Sequence, residues 1–262
     1  VNTIGFIGAG NMGFALAGSL QRAGLAARIC VYDKLAERCE LFDREFAGVS
    51  VASDAGAVFR AADATFLAVK PQDVQTATAG MDDRDALVIS ILAGVSLAAL
   101  SARLPRARLV RVMPNTPCLV GAMAAGYAFA DGVGDDDRAL VKRLLGAAGV
   151  AIEVPEEQLD AVTGLSGSGP AYFARFIEWL SAAGVQQGLA PEVAAELSVQ
   201  TALGTALLMQ RQGMAPAALV DMVSSPGGTT VAGRRELEAG AVQAALERSV
   251  AAATARSREL GQ

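Results

Sequence analysis

Two stretches of this chain combine glycine with hydrogen-bonding groups at spacings suited to anion binding. They lie near opposite ends of the sequence. The first is Gly8-Ala9-Gly10-Asn11-Met12-Gly13, a G-x-G-x-x-G run between the apolar segment Ile4–Ile7 and a helix-forming stretch. In that setting the glycines permit a tight turn and a close backbone approach to a pyrophosphate. The helix that follows aims free N–H groups at the same place. Asp33 ends a second apolar run, Arg28–Tyr32, about 20 residues past Gly13, where an acid can hold ribose hydroxyls. The second stretch is Ser224-Ser225-Pro226-Gly227-Gly228-Thr229-Thr230, set just before a helix. Its glycines, its hydroxyls and a helix N-terminus together suit a carboxylate. A simple N-cap by Thr229 or Thr230 is the plainer alternative for its end.

Composition narrows the chemistry. Histidine is absent from all 262 residues, which excludes a Ser-His-Asp triad, a histidine base and histidine metal sites. Proton transfer must then use a hydroxyl, a carboxylate, a lysine, water or the substrate. Cys30, Cys39 and Cys118 are odd in number and lack metal-ligand spacing, so no metal is expected and the thiols read as free in a reducing compartment. The formal charge is −5 and no basic stripe occurs, so nucleic acid is not an expected partner. The uncharged run Ile4–Leu20 has Asn11 and the glycines in its middle and no basic leader before it. A membrane span or secretory signal is therefore not expected, and the cytoplasm is the expected location. The chain is 52% hydrophobic but only 5% aromatic, so its core is expected to rest on Ala, Val and Leu.

The elements that must position these groups alternate through the first half. Apolar runs at Ile4–Ile7, Ile29–Tyr32, Ala64–Val69, Leu87–Ile91 and Leu109–Met113 are separated by helical segments. That order predicts a doubly wound, mostly parallel α/β sheet of Rossmann type. Ala122–Ala130 and Val150–Val154 add two strands around a helix near 135–148, whose start Asp135-Asp136-Asp137 suits a helix N-terminus. Beyond about residue 160 only helical spacing remains: Phe173, Phe176, Ile177, Leu180 and Gly184, then helices opening at Pro191 and Pro216, then a last one carrying Val242, Leu246, Val250 and Leu260. The expected division is a dinucleotide-binding domain over 1–158 and an all-helical substrate and dimerisation domain over 159–262. Trp179 and Met209 read as core or interface. Three further segments have the composition of backbone-built sites: Ala68-Val69-Lys70-Pro71 and Met113-Pro114-Asn115-Thr116-Pro117 at strand exits, and Gly164-Leu165-Ser166-Gly167-Ser168-Gly169-Pro170 at a helix entry. Each is also compatible with a rigid structural turn.

Taken with Gly5-Phe6-Ile7-Gly8-Ala9-Gly10-Asn11-Met12, Ala171-Tyr172 and Ser225–Thr230, these motifs occur in an order that resembles the pyrroline-5-carboxylate reductase family from end to end. The resemblance implies reduction of 1-pyrroline-5-carboxylate to L-proline by NAD(P)H, the last step of proline biosynthesis. It also implies a homo-oligomer built through the C-terminal helices. By position, Ile7, Gly8, Ala9, Gly10, Asn11, Met12, Asp33, Lys34, Asp54, Ala68, Val69, Lys70, Pro71 and Ala93 would touch the cofactor. Ser225, Gly227, Gly228, Thr229 and Thr230 would hold the substrate, with Thr230 hydrogen-bonded to the imine nitrogen as the catalytic hydroxyl.

Leu92 is a departure, because the family usually has a small residue there, and a bulky side chain would reshape the nicotinamide pocket. Asp33 favours NADH by repelling a 2′-phosphate, whereas Lys34 and Arg38 would receive one. The family's habit tips the choice toward NADPH. Competing readings are another small imine reductase, a 3-hydroxyacid reductase and a dinucleotide sensor without catalysis. The hydroxyacid enzymes use a helix-borne lysine, and no lysine follows Lys142. A sensor would not need a second anion cradle.

Overall fold

The computed structural model describes residues 2–81 and 84–261. The chain divides into two compact units, Val1–Ser168 together with Ala251–Gln262, and Gly169–Val250. The first unit thus runs ten residues past the boundary expected at 158 and takes back the end of the chain. The reason lies in contacts: Ser257 donates to Asp160 at 2.6 Å, and the Leu260 carbonyl lies against Gly94.

The first unit begins β1 (Thr3–Ile7), α1 (Asn11–Arg22), β2 (Arg28–Tyr32), α2 (Ala36–Glu45), β3 (Val49–Val51), α3 (Ala55–Ala61), β4 (Ala64–Leu67) and α4 (Val74–Thr78). It continues β5 (Leu87–Ser90), α5 (Leu97–Ser101), β6 (Arg108–Met113), β7 (Met123–Phe129), α6 (Asp135–Gly146), β8 (Gly149–Glu153) and α7 (Leu159–Val162). Among the described residues these strands form one sheet in the order β3-β2-β1-β4-β5-β6-β7-β8. Every neighbouring pair is parallel except β6–β7. A parallel return from β6 would need a crossover of a dozen or more residues, and the connection holds only a short 3₁₀ turn, Thr116–Val120. The three-residue edge strand β3 is absent from the sequence reading, because Val-Ser-Val is too short to stand out from a loop. In α6, Asp137 pairs with Arg108 of β6, so one of the three opening acids ties helix to sheet.

Both faces of the sheet are covered, as continuous apolar strands require. One face buries Ile4, Phe6, Leu16, Leu20, Phe42 and Ile89, and the other buries Ile7, Val58, Phe59, Leu67, Val88 and Leu100. The buried core rests mainly on Ala, Leu and Val, as expected, with one aromatic cluster set into it. Phe6 stacks on Phe66 with ring centres 5.1 Å apart, across the Phe6–Phe66 register of β1 and β4. Phe42 meets Phe6, Phe14 and Phe46. Five of the nine phenylalanines thus gather in one cluster that seats α1 and α2, because tilted and edge-on rings gain more than area alone.

The second unit contains α8 (Gly169–Gln186), α9 (Pro191–Gln212), α10 (Pro216–Met222), α11 (Thr229–Ala239) and the first part of α12 (Val242–Leu260). Pro191 and Pro216 stand at the first helical positions, where a missing N–H costs nothing. Past α8, Gly188 takes φ +97° and turns the chain into α9. The two helices pack closely at Gly184, where an added Cβ would lie 3.3 Å from Ala194 Cβ. Within this unit Phe173 is 71% exposed and Trp179 59%, with Leu180, Leu197 and Leu203 at least half exposed. Met209 is only partly buried.

Phe42 is fully buried and touches three other rings. Its replacement by alanine should lower the unfolding free energy by roughly 3–5 kcal/mol, read by denaturant titration of the wild-type and Phe42→Ala proteins. A loss below about 1 kcal/mol would deny the cluster its role.

Candidate dinucleotide and carboxylate sites

The exits of β1, β2 and β4 lie side by side at the carboxyl edge of the sheet, with β1 in the middle. Gly8 leaves β1 with φ +101°, and its N–H donates to the Tyr32 carbonyl at 2.8 Å. A Cβ on Gly8 would lie 2.5 Å from the Ala68 carbonyl carbon. A Cβ on Gly13 would lie 2.7 Å from the Gly8 oxygen. These two glycines therefore let strand, helix and neighbouring loop close up. Gly10 caps α1 in extended conformation, and no described side chain caps that helix. The N–H groups of its first turn have no intrahelical partner, which leaves them for an anion. The cradle fits a dinucleotide pyrophosphate.

The remaining residues expected at this site have distinct surroundings. Ile7 and Ala9 are buried, so only their main chains can meet a ligand. The Ala9 N–H is engaged by Asp33 Oδ2 at 2.7 Å, and Asp33 Oδ1 accepts from Leu35 N–H at 3.0 Å. Asn11 is exposed and Met12 half-buried. Lys34 Nζ forms an ion pair with Asp73, 2.9 Å from Oδ2. Arg38 reaches the glycine turn instead: its Nη1 lies 3.9 Å from Asp33 Oδ2 and 3.4 Å from where a Gly10 Cβ would stand. Asp54 caps α3, its Oδ1 accepting from Ala57 N–H at 2.8 Å. That bond, with the Ser53 hydroxyl, holds its carboxyl below the usual range.

Ala68 and Val69 are half-buried, and Lys70 and Pro71 exposed, where the chain leaves β4. Ala93 is exposed beyond β5. Leu92, the departure from the family pattern, is 2% exposed and packed in the core layer with Leu97 and Leu100. Asp73 was invisible in the sequence, where it belongs to no motif.

At the exit of β6, Asn115 is 7% exposed and its amide is hydrogen-bonded at both ends. Its Nδ2 donates to the Ser166 carbonyl at 3.0 Å, and its Oδ1 accepts from Ala124 N–H at 2.9 Å. The segment it holds, Thr163–Gly167, is a π-helical turn closed by Ser168 N–H to the Thr163 carbonyl at 2.8 Å.

The second unit holds the candidate carboxylate cradle. Ser225–Gly228 is a turn closed by Gly228 N–H to the Ser225 carbonyl at 2.9 Å. Pro226 and Gly227 occupy its centre, and Gly227 has φ +70°, the pairing a type II turn requires. Gly228, not Thr229 or Thr230, is the N-cap of α11, and no described side chain caps it. The plain N-cap alternative for the two threonines therefore fails. Both are exposed in the first turn. Ser225 is exposed and its Oγ lies 2.5 Å from where a Gly228 Cβ would stand, so a side chain there would displace the hydroxyl. The Ser224 hydroxyl is buried with no hydrogen-bond partner among the described residues.

Comparison with known proteins places both halves. Residues 3–94 match the family described as NADP oxidoreductase, coenzyme F420-dependent, and residues 156–260 match pyrroline-5-carboxylate reductase dimerisation. The chain is 41% identical to a pyrroline-5-carboxylate reductase of Arabidopsis thaliana, over 99% of this chain and 95% of that one. It is 39% identical to the Methanosarcina acetivorans protein of that name, over 99% and 98%. The solved reductase of Coxiella burnetii superposes with a TM-score of 0.93 at 34% identity, covering 99% of this chain and 98% of that one. The Plasmodium falciparum structure with NADP bound gives 0.86 at 30% identity, covering 100% and 98%.

Gly8→Ala should abolish dinucleotide binding, because a methyl at φ +101° meets main-chain atoms that cannot step aside. Titration of NADPH fluorescence against folded Gly8→Ala protein checks this. Wild-type affinity would refute the tight-turn account.

Proposed function

The chain belongs to the pyrroline-5-carboxylate reductase family, and from that membership we propose how its residues carry the reaction. It is an NAD(P)H-dependent oxidoreductase acting on an imine, reducing 1-pyrroline-5-carboxylate to L-proline. The observation that carries the residue assignment is the uncapped N-terminus of α11 behind the Pro226-Gly227 turn.

The substrate is a small anion, and its carboxylate needs donors rather than a charged clamp. The N–H groups of Thr229 and Thr230 and the Ser225 hydroxyl supply them, with the helix end adding partial positive charge. Gly227 and Gly228 keep side chains out of the way. The Thr230 hydroxyl hydrogen-bonds the ring nitrogen and orients it. It is too weak an acid to deliver a proton alone, so the protonated imine or water does so. The bound nicotinamide supplies the hydride to the C=N carbon. Most of the rate then comes from placement rather than from acid–base strength.

For the cofactor, the first-turn N–H groups of α1 take the pyrophosphate and Asp33 faces the ribose. Lys34 is held by Asp73, so Arg38, beside the Gly10 turn, is the residue for a 2′-phosphate. Ala68 to Pro71 and Ala93 line the rest of the dinucleotide through their strand exits. The exposed Phe173, Trp179, Leu197 and Leu203 are covered by a second copy in the homo-oligomer that the dimerisation match supports. Among the described residues no helix is long and apolar enough to cross a membrane. The three buried free thiols support a reducing, cytoplasmic setting.

The direct assay is oxidation of NADPH and NADH with and without pyrroline-5-carboxylate. Substrate-dependent oxidation is expected, and none from folded protein that still binds a dinucleotide would overturn the reading. Thr230→Ala should lower kcat more than about tenfold while NADPH binding persists, and near-normal kcat would remove Thr230 from the chemistry. Arg38→Ala should raise KM for NADPH roughly tenfold with little change for NADH, the size expected for one lost charge-assisted contact. Equal effects on the two cofactors would rule out the 2′-phosphate role.

A further inference from the structure

We propose that Asn115 is a positioning residue for hydride transfer: it clamps the π-turn Thr163–Gly167 against the β6 exit, making that turn a fixed wall for the nicotinamide end of the cofactor. The proposal rests on the reductase reading above.

Three observations within the first unit carry it. The first is the amide itself. A buried asparagine in a folded core must satisfy both ends, and Asn115 does so by joining two segments distant in sequence, Ser166 and Ala124. Its own main chain is held by Pro114 on one side and by the Cys118 N–H on the Asn115 carbonyl at 3.1 Å on the other. The clamp therefore grips from a rigid base.

The second is the gripped turn. An i→i+5 turn is rare and has poorer packing than an α-turn, so it persists where its surroundings impose it, frequently at functional sites. Here Gly167 lies so near Met113 that an added Cβ would stand 2.9 Å from Met113 Cε. The next residue after the strand on that side, Pro114, leads straight to Asn115. The turn leaves Leu165 66% exposed, an apolar surface offered outward beside a hydrogen-bonded main chain.

The third is place. The glycine turn and the acid that takes the ribose stand at the exits of β1 and β2. A dinucleotide laid across the edge of a sheet ordered 3-2-1-4-5-6 extends from there past β4 toward β6. The β6 exit with its clamped turn is thus on the nicotinamide side. A wall there restricts where the ring can lie, and a displacement near 1 Å can cost roughly a hundredfold in rate.

The test is Asn115→Asp. The carboxylate still accepts from Ala124 N–H but faces the Ser166 carbonyl with no donor, so the clamp opens at one end only. Turnover is followed with NADPH and with NADPH deuterated at C4, alongside NADPH affinity by fluorescence and the melting temperature. The expected result is a kcat lowered roughly 10- to 100-fold, a larger deuterium isotope effect on kcat, and an NADPH Kd within about twofold of wild type. An unchanged kcat and isotope effect would overturn the proposal. So would a fall in kcat that tracks lost NADPH affinity with the isotope effect unchanged, the signature of a merely structural residue. If Asn115→Asp does not fold, Asn115→Ala applies the same test, since it removes the bonds to Ser166 and Ala124 without burying a charge. The same signature supports the proposal, and wild-type behaviour defeats it. Wild-type protein that reduces no imine would fail the reaction assignment and this proposal together, whereas an active wild type with an unaffected Asn115→Asp variant fails the proposal alone.

Discussion

The close approach of two strand exits governs the first unit. Gly8 and Ala68 lie so near that even one Cβ on Gly8 would collide with main-chain atoms. The Ala68 N–H donates to the Ile7 carbonyl at 2.7 Å, and the Gly8 N–H to Tyr32. Three adjacent strands are thereby stitched at their carboxyl ends, and α1 can start only where Gly10 and Gly13 allow. The uncapped first turn of that helix is the outcome of this packing, and its main-chain N–H groups make a candidate anion site.

The same device recurs in the second unit with different parts. A Pro-Gly turn, a glycine cap and a bare helix N-terminus give a second candidate anion cradle, with no lysine or arginine in the loop itself. Backbone donors suit a small carboxylate, because they are fixed in place and need no ordering on binding. Neutral donors also leave the charge of an imine nitrogen to the substrate, which helps when no histidine is present to manage protons. The helices carrying this cradle leave large apolar faces uncovered, consistent with a unit whose core is completed by another copy.

Charge around the cofactor cradle is settled by neighbours rather than by residue type. Asp33 and Lys34 stand next to each other, yet the acid is bound to two main-chain N–H groups and the lysine to Asp73. Arg38, one turn into α2, is the cation left facing the glycine turn. Asp54 caps α3 with the carboxylate that position alone would assign to a ligand.

Much of this was legible in the residues. Glycine spacing marked both tight turns, at Gly8 and Gly227, because the demand for positive φ favours glycine and is written directly in the sequence. Alternating apolar runs gave the sheet, and Pro191 and Pro216 gave the helix starts, because local backbone preferences fix them. Other features depended on what distant residues do to one another. Phe6, Phe14, Phe42, Phe46 and Phe66 are scattered through the first quarter of the chain, and only folding gathers them. The reversal at β7, the inward turn of Leu92, the Lys34–Asp73 pair and the Asn115 clamp are likewise products of packing. The sequence by itself determined where glycine turns open onto helix N-termini, since that depends on local conformation. The tertiary structure alone decided which side chains remain free beside them, since a hydrogen-bond partner 39 or 51 residues away has no local signature.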